Sequence, residues 1–451
     1  MKIAKMNSAL FAESDLRLDA SYHLSDGPIT IRKLANSPYP VSTLKEECSR
    51  IFSGNIFKRT YVSSAEFGYP YLTGSDMVKA DIDSNKFLSK KYTTQMDNLR
   101  IHKDWILITC SGTLGNTVFT NDDFEGKIGT HDLIRAIPNE NNTKKGFLYA
   151  YLASKVGYAL LTQSSYGGVV KHIEPHHIKD LPIPIFPEAV QQTIHDLIVE
   201  AADLRVEASE LLRGAHKIIL EEVNIKPKVI SNKVSVNTLL NTHLKRFEAQ
   251  CFISEGYDIK EQIKKQHFKY LKDVTEPIFR PGIFKRHYVE NGVEFLGGSN
   301  IVQAVPRSDK KLSISKTKHL NELLVKEDWI LITCGGTIGY SVLVDRFLEN
   351  KAASQHILRV IANDIKTGYL FAFLSSSIGL KAIQSFTYGS VIPQIEPHHL
   401  DRLPIPILED RIVDSIHSMI MTYKDNIASA IEKELKAISL IEQTIDSWQL
   451  S

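Results

Sequence analysis

Apolar residues follow two different periods along this chain. Short runs rich in β-branched residues, such as Ile106 to Thr109 and Ile330 to Thr333, suit strands covered on both faces. Two longer stretches follow a helical period. Between 187 and 222, apolar residues fall at Val190, Ile194, Leu197, Ala201, Leu204, Ala208, Leu211, Ala215 and Ile218. The steps alternate between four and three, which is the seam of a coiled coil. Between 409 and 451 a less regular seam runs through Ile412, Ile416, Ile420, Tyr423, Ile427, Ile431, Leu435, Ile438, Ile441 and Ile445. Two long helices with one stripe each bury those stripes against each other, and the first should be roughly 50 Å long. Before each helix stands L-P-I-P-I (Leu181 to Ile185, Leu403 to Ile407), which prolines keep extended.

The strands belong to an internal duplication. Asp104 to Gly115 reads D-W-I-L-I-T-C-S-G-T-L-G, and 224 residues later Asp328 to Gly339 reads D-W-I-L-I-T-C-G-G-T-I-G. A buried strand ending in G-T-x-G must turn sharply and present a loop. Other landmarks recur in the same order. Arg17-Leu18-Asp19-Ala20 is echoed by Arg246-Phe247-Glu248-Ala249, and Phe57-Lys58-Arg59-x-Tyr61-Val62 by Phe284-Lys285-Arg286-x-Tyr288-Val289. Leu72-x-Gly74-Ser75-Asp76 returns as Leu296-x-Gly298-Ser299-Asn300, and Thr130-x-x-Leu133-Ile134-Arg135 as Ser354-x-x-Ile357-Leu358-Arg359. Helical segments follow (146–164 and 368–385), then Ile173-Glu174-Pro175-His176-His177 and Ile395-Glu396-Pro397-His398-His399.

The chain of 451 residues, 43% apolar and 24% charged, has the composition of an ordinary globular protein. The boundaries expected are a lead-in at 1–35, a first domain at 36–186, a central helix at 187–222, a connector at 223–254, a second domain at 255–408 and a terminal helix at 409–451. The four cysteines, Cys48, Cys110, Cys251 and Cys334, lack C-x-x-C spacing and read as core residues in a reducing compartment. No apolar run approaches membrane-spanning length and no signal peptide is legible, so the expected location is cytoplasmic. A net charge of +2 is low for a self-sufficient nucleic-acid binder, so a DNA-binding role implies partners that share the phosphate contacts.

Together the paired strand motifs, the I-E-P-H-H and L-P-I-P-I tails and the long helix after each tail resemble the specificity subunit of type I restriction–modification systems, across essentially the whole chain. The R-L-D-A opening is similar to specificity subunits of related single-complex systems. The resemblance implies an α+β fold: two tandem, β-rich target recognition domains, separated and joined by two long helices forming an antiparallel coiled coil. It also implies a non-catalytic subunit without cofactor that reads a bipartite double-stranded DNA site. A partner methyltransferase would modify adenine N6, accompanied in full systems by a motor–nuclease restriction subunit.

Candidate DNA contacts follow from repeated frames with divergent tips. Lys58, Arg59 and Tyr61, with Lys285, Arg286 and His287, could place cations on phosphates or bases; a solvated hairpin is the bland alternative. Tyr166, Lys171 and His172 in one loop, and Tyr388 and Gln394 in its counterpart, belong to a pair of loops that share Tyr and Gly and then diverge. Ser75 and Asp76 against Ser299 and Asn300, His131-Asp132 against Gln355-His356, and the loop tips Ser111, Thr113 and Thr337 complete the set. Ile194, Leu204, Leu211, Ile427 and Leu435 are the expected methyltransferase contacts on the helices.

Several motifs are decoys. Adjacent histidines point apart on a regular backbone, so His176-His177 and His398-His399 read as capping or packing, not as metal ligands. Asn36-Ser37-Pro38-Tyr39 is one residue from a methyltransferase N-P-P-Y but lacks a cofactor loop. Glu125-Gly126-Lys127 and Glu349-Asn350-Lys351 match half of a nuclease site and read as turns. Two other readings stay open: a self-contained modification or cleavage enzyme, and a coiled-coil scaffold that never touches DNA.

Overall fold

The computed structural model describes residues 23, 25–83, 86–94, 96–163, 172–228, 234–241, 248, 250–389 and 391–448. Of the two R-x-x-A echoes, only Glu248 falls within them. Backbone contacts divide the chain into two units: unit 1 holds 1–206 and 429–451, and unit 2 holds 207–428. Each long helix therefore contributes one half to each unit.

Unit 1 is built on a four-stranded antiparallel sheet in the order Cys48–Ser53, Leu133–Pro138, Ile106–Thr109, Thr117–Phe119. The I-L-I-T strand is interior, and all four of its residues are buried, as its β-branched composition requires. Above one face lie the apolar helices Lys145–Ala153 and Lys155–Gln163, whose Phe147, Leu148 and Leu152 join the sheet's core. A smaller sheet (Tyr61–Val62, Phe87–Ser89, Gly68–Leu72, Ile128–Gly129) flanks it and ends in a parallel pair. The L-P-I-P-I segment is extended: Pro182–Pro184 pairs with Val41–Thr43 in a two-stranded ribbon, where proline can face away from the partner.

Unit 2 repeats this plan. Ile330–Gly335 lies between Thr337–Leu343 and Ile357–Val360, with helices Thr367–Ser375 and Ser377–Gln384 packed on the sheet. Pro404–Pro406 pairs with Phe268–Tyr270. In each unit a tyrosine of the first helix is tied to the proline segment, although Tyr151 stands at the place of Phe373 and Tyr369 at the place of Phe147. Tyr151 donates its hydroxyl to the Pro182 carbonyl at 2.7 Å, and Tyr369 donates to Pro406 at 2.6 Å.

The long helices are Glu188–Val223 (36 residues) and Asp410–Asp446 (37 residues). In unit 1 the N-terminal half of the first packs with the C-terminal half of the second; in unit 2 the halves are reversed, so the pair runs antiparallel. The burial corrects the simple seam. Ile194, Ala201, Ala208 and Ala215, one heptad register, are buried, joined by Ile198, Ala202, Ile219 and Val223. The other register, Val190, Leu197, Leu204, Leu211 and Ile218, is only half-buried. Small alanines let the backbones approach closely, and the larger leucines are left at the rim. Gly214 shows how close the approach is, since a Cβ there would stand 2.7 Å from Met419 Cε. Each helix also docks on its unit: Gly146 N–H donates to His195 Nδ1 at 3.2 Å, and Gly368 N–H to His417 Nδ1 at 3.1 Å. Tyr149 donates to Glu434 Oε1 at 2.5 Å, and Arg205 pairs with the same carboxylate.

Candidate nucleic-acid interface

The central strand of unit 1 ends at Thr109, whose hydroxyl donates to the Thr113 carbonyl and accepts from Asn116 N–H at 3.0 Å. These bonds fold the G-T-x-G residues back on the strand end. Gly112 and Gly115 sit at φ +70° and +78°, the left-handed region that the turn demands. The neighbouring loops are tied to this tip. Cys110 N–H donates to the Asp132 carbonyl at 3.3 Å, Ile173 N–H to the Cys110 carbonyl at 3.1 Å, and Ser111 bridges His172. Thr130 N–H donates to the Leu72 carbonyl at 2.9 Å, which brings in residues 73–77. Arg59 donates from Nη2 to Thr130 Oγ1 at 3.2 Å, meets His131 Nδ1 at 3.2 Å and lies 3.5 Å from Asp132 Oδ2. Segments scattered over more than a hundred residues of sequence thus form one loop cluster.

Unit 2 builds the same cluster with other side chains. Cys334 N–H donates to the His356 carbonyl at 3.0 Å and Ile395 N–H to the Cys334 carbonyl at 3.1 Å. Gly335 bridges Gln394, and Arg286 donates to Gln355 Oε1 at 3.3 Å. Lys58, Arg59, Tyr61, Ser75 and Thr113 are exposed, as are Lys285, Arg286, Ser299 and Thr337. Ser111, His172, His287 and Gln394 are half-buried beside them. Two exposed isoleucines escaped the sequence reading. Ile56 and Ile283 stand just before the two F-K-R motifs, at 85% and 95% exposure.

Other candidates are placed differently. Asp76 is 1% exposed and takes Lys79 and Lys86 at 2.8 Å each, Thr73 N–H at 3.1 Å and the Thr73 hydroxyl at 2.6 Å. Burial pushes its pKa upward, but those donors outweigh it and hold the carboxyl well below the usual range. It is a structural anion with no surface left for a base. Asn300 keeps only the backbone part of this, accepting Gly297 N–H at 3.0 Å while donating to the Arg307 carbonyl at 3.0 Å, and it stays half-buried. Tyr388 donates to Glu396 Oε1 at 2.8 Å, and Arg280 holds that carboxylate at 2.9 Å, so this tyrosine belongs to the loop's frame. Burial and then the Glu396 carboxylate raise its pKa. Tyr166 and Lys171 lie outside the described residues. On the helices Ile194 is fully buried in unit 1's own core, where no partner can reach it. Leu204, Leu211, Ile427 and Leu435 are half-buried.

The decoys resolve into structure. His177 Nδ1 accepts Glu174 N–H at 2.9 Å and His399 Nδ1 accepts Glu396 N–H at 3.1 Å, so one histidine of each pair caps a short helix. Among the described residues, no group of three His, Cys, Asp or Glu side chains could hold a metal ion. Gly126 (φ +75°) and Asn350 (φ +64°) make the E-x-K segments tight turns. Glu125 accepts Lys103 N–H at 2.8 Å, and Lys351 pairs with Glu294 at 3.1 Å, so the acid and the lysine are held by neighbours. Tyr39 packs on Phe186 and Trp448, with ring centroids 5.3 and 6.1 Å away. Cys48, Cys110 and Cys334 are buried, and burial pushes the Cys110 thiol up to about 12 and the Cys334 thiol to about 11, leaving both inert.

One fold is used twice, with a shared loop frame and tips that differ between the copies, and each copy takes one half of each long helix. The chain belongs to the family of the type I restriction modification DNA specificity domain, whose profile matches residues 37–204 and 256–440, well over half of the sequence. It is similar to the solved type I restriction–modification system S subunit from M. genitalium, at 13% identity and TM-score 0.35, covering 91% of this chain and 96% of that one. It is also similar to the HsdS subunit from Thermoanaerobacter tengcongensis, at 13% identity and TM-score 0.30, covering 91% and 97%. A chain from a structural study of complex assembly and conformational transition in the type I R-M system matches at 13% identity and TM-score 0.29, covering 90% and 98%. No curated protein matches the chain. Among the described residues no helix is long and apolar enough to cross a membrane.

Proposed function

We propose that each unit docks its loop cluster on one half of a bipartite DNA site and directs a partner methyltransferase to it. The observation that carries this reading is the pairing of a repeated basic element with a tip that differs between copies. Arg59 leans on Thr130-His131-Asp132, and Arg286 on Ser354-Gln355-His356. A common cation suits phosphates, which are the same on every sequence, whereas divergent polar tips suit base edges, which are not. The divergent tips of unit 1 are Ser111, His131, Asp132 and His172, with the shared Ser75 and Thr113 beside Lys58, Arg59 and Tyr61 on the backbone. In unit 2 the divergent tips are Gln355, His356 and Gln394, with the shared Ser299 and Thr337 beside Lys285, Arg286 and His287 on the backbone. The major groove, where all four base pairs differ, is the surface read.

The partner supplies the methyl donor and turns the adenine out of the stack. Sharing of the phosphate contacts with that partner accounts for a net charge of only +2. The rim residues Leu204, Leu211, Ile427 and Leu435 are among the apolar positions on the helices open to methyltransferase subunits, with a restriction subunit joining in full systems. The complex works in the cytoplasm. Purified chain incubated with DNA and methyl donor, or with DNA and Mg²⁺, should show no turnover until the methyltransferase is added. Turnover by the chain alone would reverse the assignment in favour of an enzyme, and methylation that ignores the chain would favour a scaffold.

A further inference from the structure

Each unit buries one arginine completely beneath its loop cluster: Arg135 and Arg359, 224 residues apart and so equivalent in the repeat. Each sits on a strand whose other positions are apolar, in a core where an apolar side chain would pack without the cost of desolvating a charge. Their partners are backbone carbonyls. Arg135 donates from Nη1 to Leu133 at 2.9 Å and from Nη2 to Leu99, Gly129 and Thr130 at 3.1, 3.2 and 3.3 Å. Arg359 donates from Nη1 to Ser354 and Ile357 at 2.9 and 2.5 Å, and from Nη2 to Leu323 and Ala353 at 3.3 and 2.5 Å.

The pattern is the same in both units. One rigid fork gathers carbonyls from the residues just before the divergent turn, from the turn itself and just after it, and from a separate segment. A planar guanidinium with five fixed donors can do this, whereas an ammonium cannot span the same set. The clamped turn carries Thr130-His131-Asp132 in one unit and Ser354-Gln355-His356 in the other. It also receives the first amide of the glycine-rich loop, since Cys110 N–H meets the Asp132 carbonyl and Cys334 N–H the His356 carbonyl. Arg59 and Arg286 rest on it from outside. Turn, glycine loop and outer arginine thus share one buried support.

We infer that Arg135 and Arg359 are positioning residues for sequence reading: they never touch DNA but fix the turn whose side chains do. The inference rests on the proposed DNA-reading function. It explains why a charge is buried at the same place in two units that read different sequences: the support is common and only the tip is specific. Burial lowers both guanidinium pKa values to about 10, so each remains charged at neutral pH.

The test uses the full chain in complex with its methyltransferase, and reads methylated sites selected from random DNA together with the melting temperature. Arg135→Lys keeps the charge and loses the fork. Discrimination at the bases read by the turn, about tenfold or more for a well-placed contact, should fall to under about threefold in the first half-site. The second half-site should be unchanged, and Arg359→Lys should do the reverse. A folded Arg135→Lys complex with both preferences intact overturns the inference, as does a loss spread evenly over both half-sites. Should that variant not fold, the exchange T130S/H131Q/D132H leaves Arg135 in place. It should melt like the wild type and change the first half-site's preference; an unchanged preference overturns the inference. If the wild-type complex itself selects no sequence, the underlying DNA-reading function fails first, and this inference with it.

Discussion

Asp76→Asn separates a structural carboxylate from a base-reading one. The wild-type side chain is buried, holds Lys79 and Lys86 at 2.8 Å and accepts the Thr73 amide and hydroxyl. Asparagine can keep the backbone bond, because Asn300 accepts Gly297 N–H at 3.0 Å at the repeat-equivalent place. What it loses is the pair of charge-assisted bonds. Each would be worth about 1.5–3 kcal/mol if buried at both ends. The lysine side chains are 30% and 42% exposed, so water already screens part of that, and about 2 kcal/mol in total is expected. For a unit of this size that corresponds to a melting temperature lower by about 4–8 °C. The pH dependence has a fixed sign. The folded-state pKa is depressed, so the carboxylate's contribution is complete above the unfolded pKa of about 4 and is lost as the pH falls below it. Thermal unfolding of both proteins from pH 8 to pH 3 should show a gap that is constant down to about pH 4 and narrows below it, with the selected DNA sequence unchanged. An unchanged melting temperature together with an altered base preference in one half-site would refute the reasoning and make Asp76 a reader.

Three further outcomes are expected. Lys58→Ala should weaken binding to all sequences and lower the slope of log affinity against log salt by about one, as measured by salt titration; a new sequence preference would make it a base contact. Ile56→Ala with Ile283→Ala should weaken binding to every sequence without changing that slope, because both copies share the residue and it carries no charge; a slope change or a preference confined to one half-site would count against this. Inserting one heptad in each long helix adds about 10 Å of rod, or three base pairs at about 3.4 Å each, so the spacer in methylated sites should lengthen by three while both half-sites stay the same.

Features set by local pattern were legible in the sequence. Ile106 to Thr109 had to be an interior strand because no alternation left it a wet face. The prolines of L-P-I-P-I kept it extended, and the proline before each histidine pair marked a helix start, so the capping histidines were foreseeable. Features that depend on packing distance or on a partner remote in sequence were hidden. Heptad spacing gave two equivalent registers, and only the closeness of the helices decides that the alanines go inside and the leucines to the rim. Asp76 resembled a loop tip because its second lysine, Lys86, lies ten residues away beyond the small sheet's turn. Nothing local marked Arg135 as a buried support; the one clue was its recurrence as Arg359 in an otherwise apolar strand. The pairing of Arg59 with Thr130 and His131 spans about seventy residues, and no local period encodes it.

The central claim, that one chain carries two independent readers for a partner's chemistry, is tested most directly by mapping methylated adenines. Random-sequence DNA would be treated with the chain, its methyltransferase and methyl donor, and the modified molecules sequenced. The modified molecules should show two constant blocks separated by a spacer of fixed length and arbitrary sequence, with T130S/H131Q/D132H altering one block alone. A single continuous block, a spacer of variable length, or the same methylation pattern without the chain would contradict it.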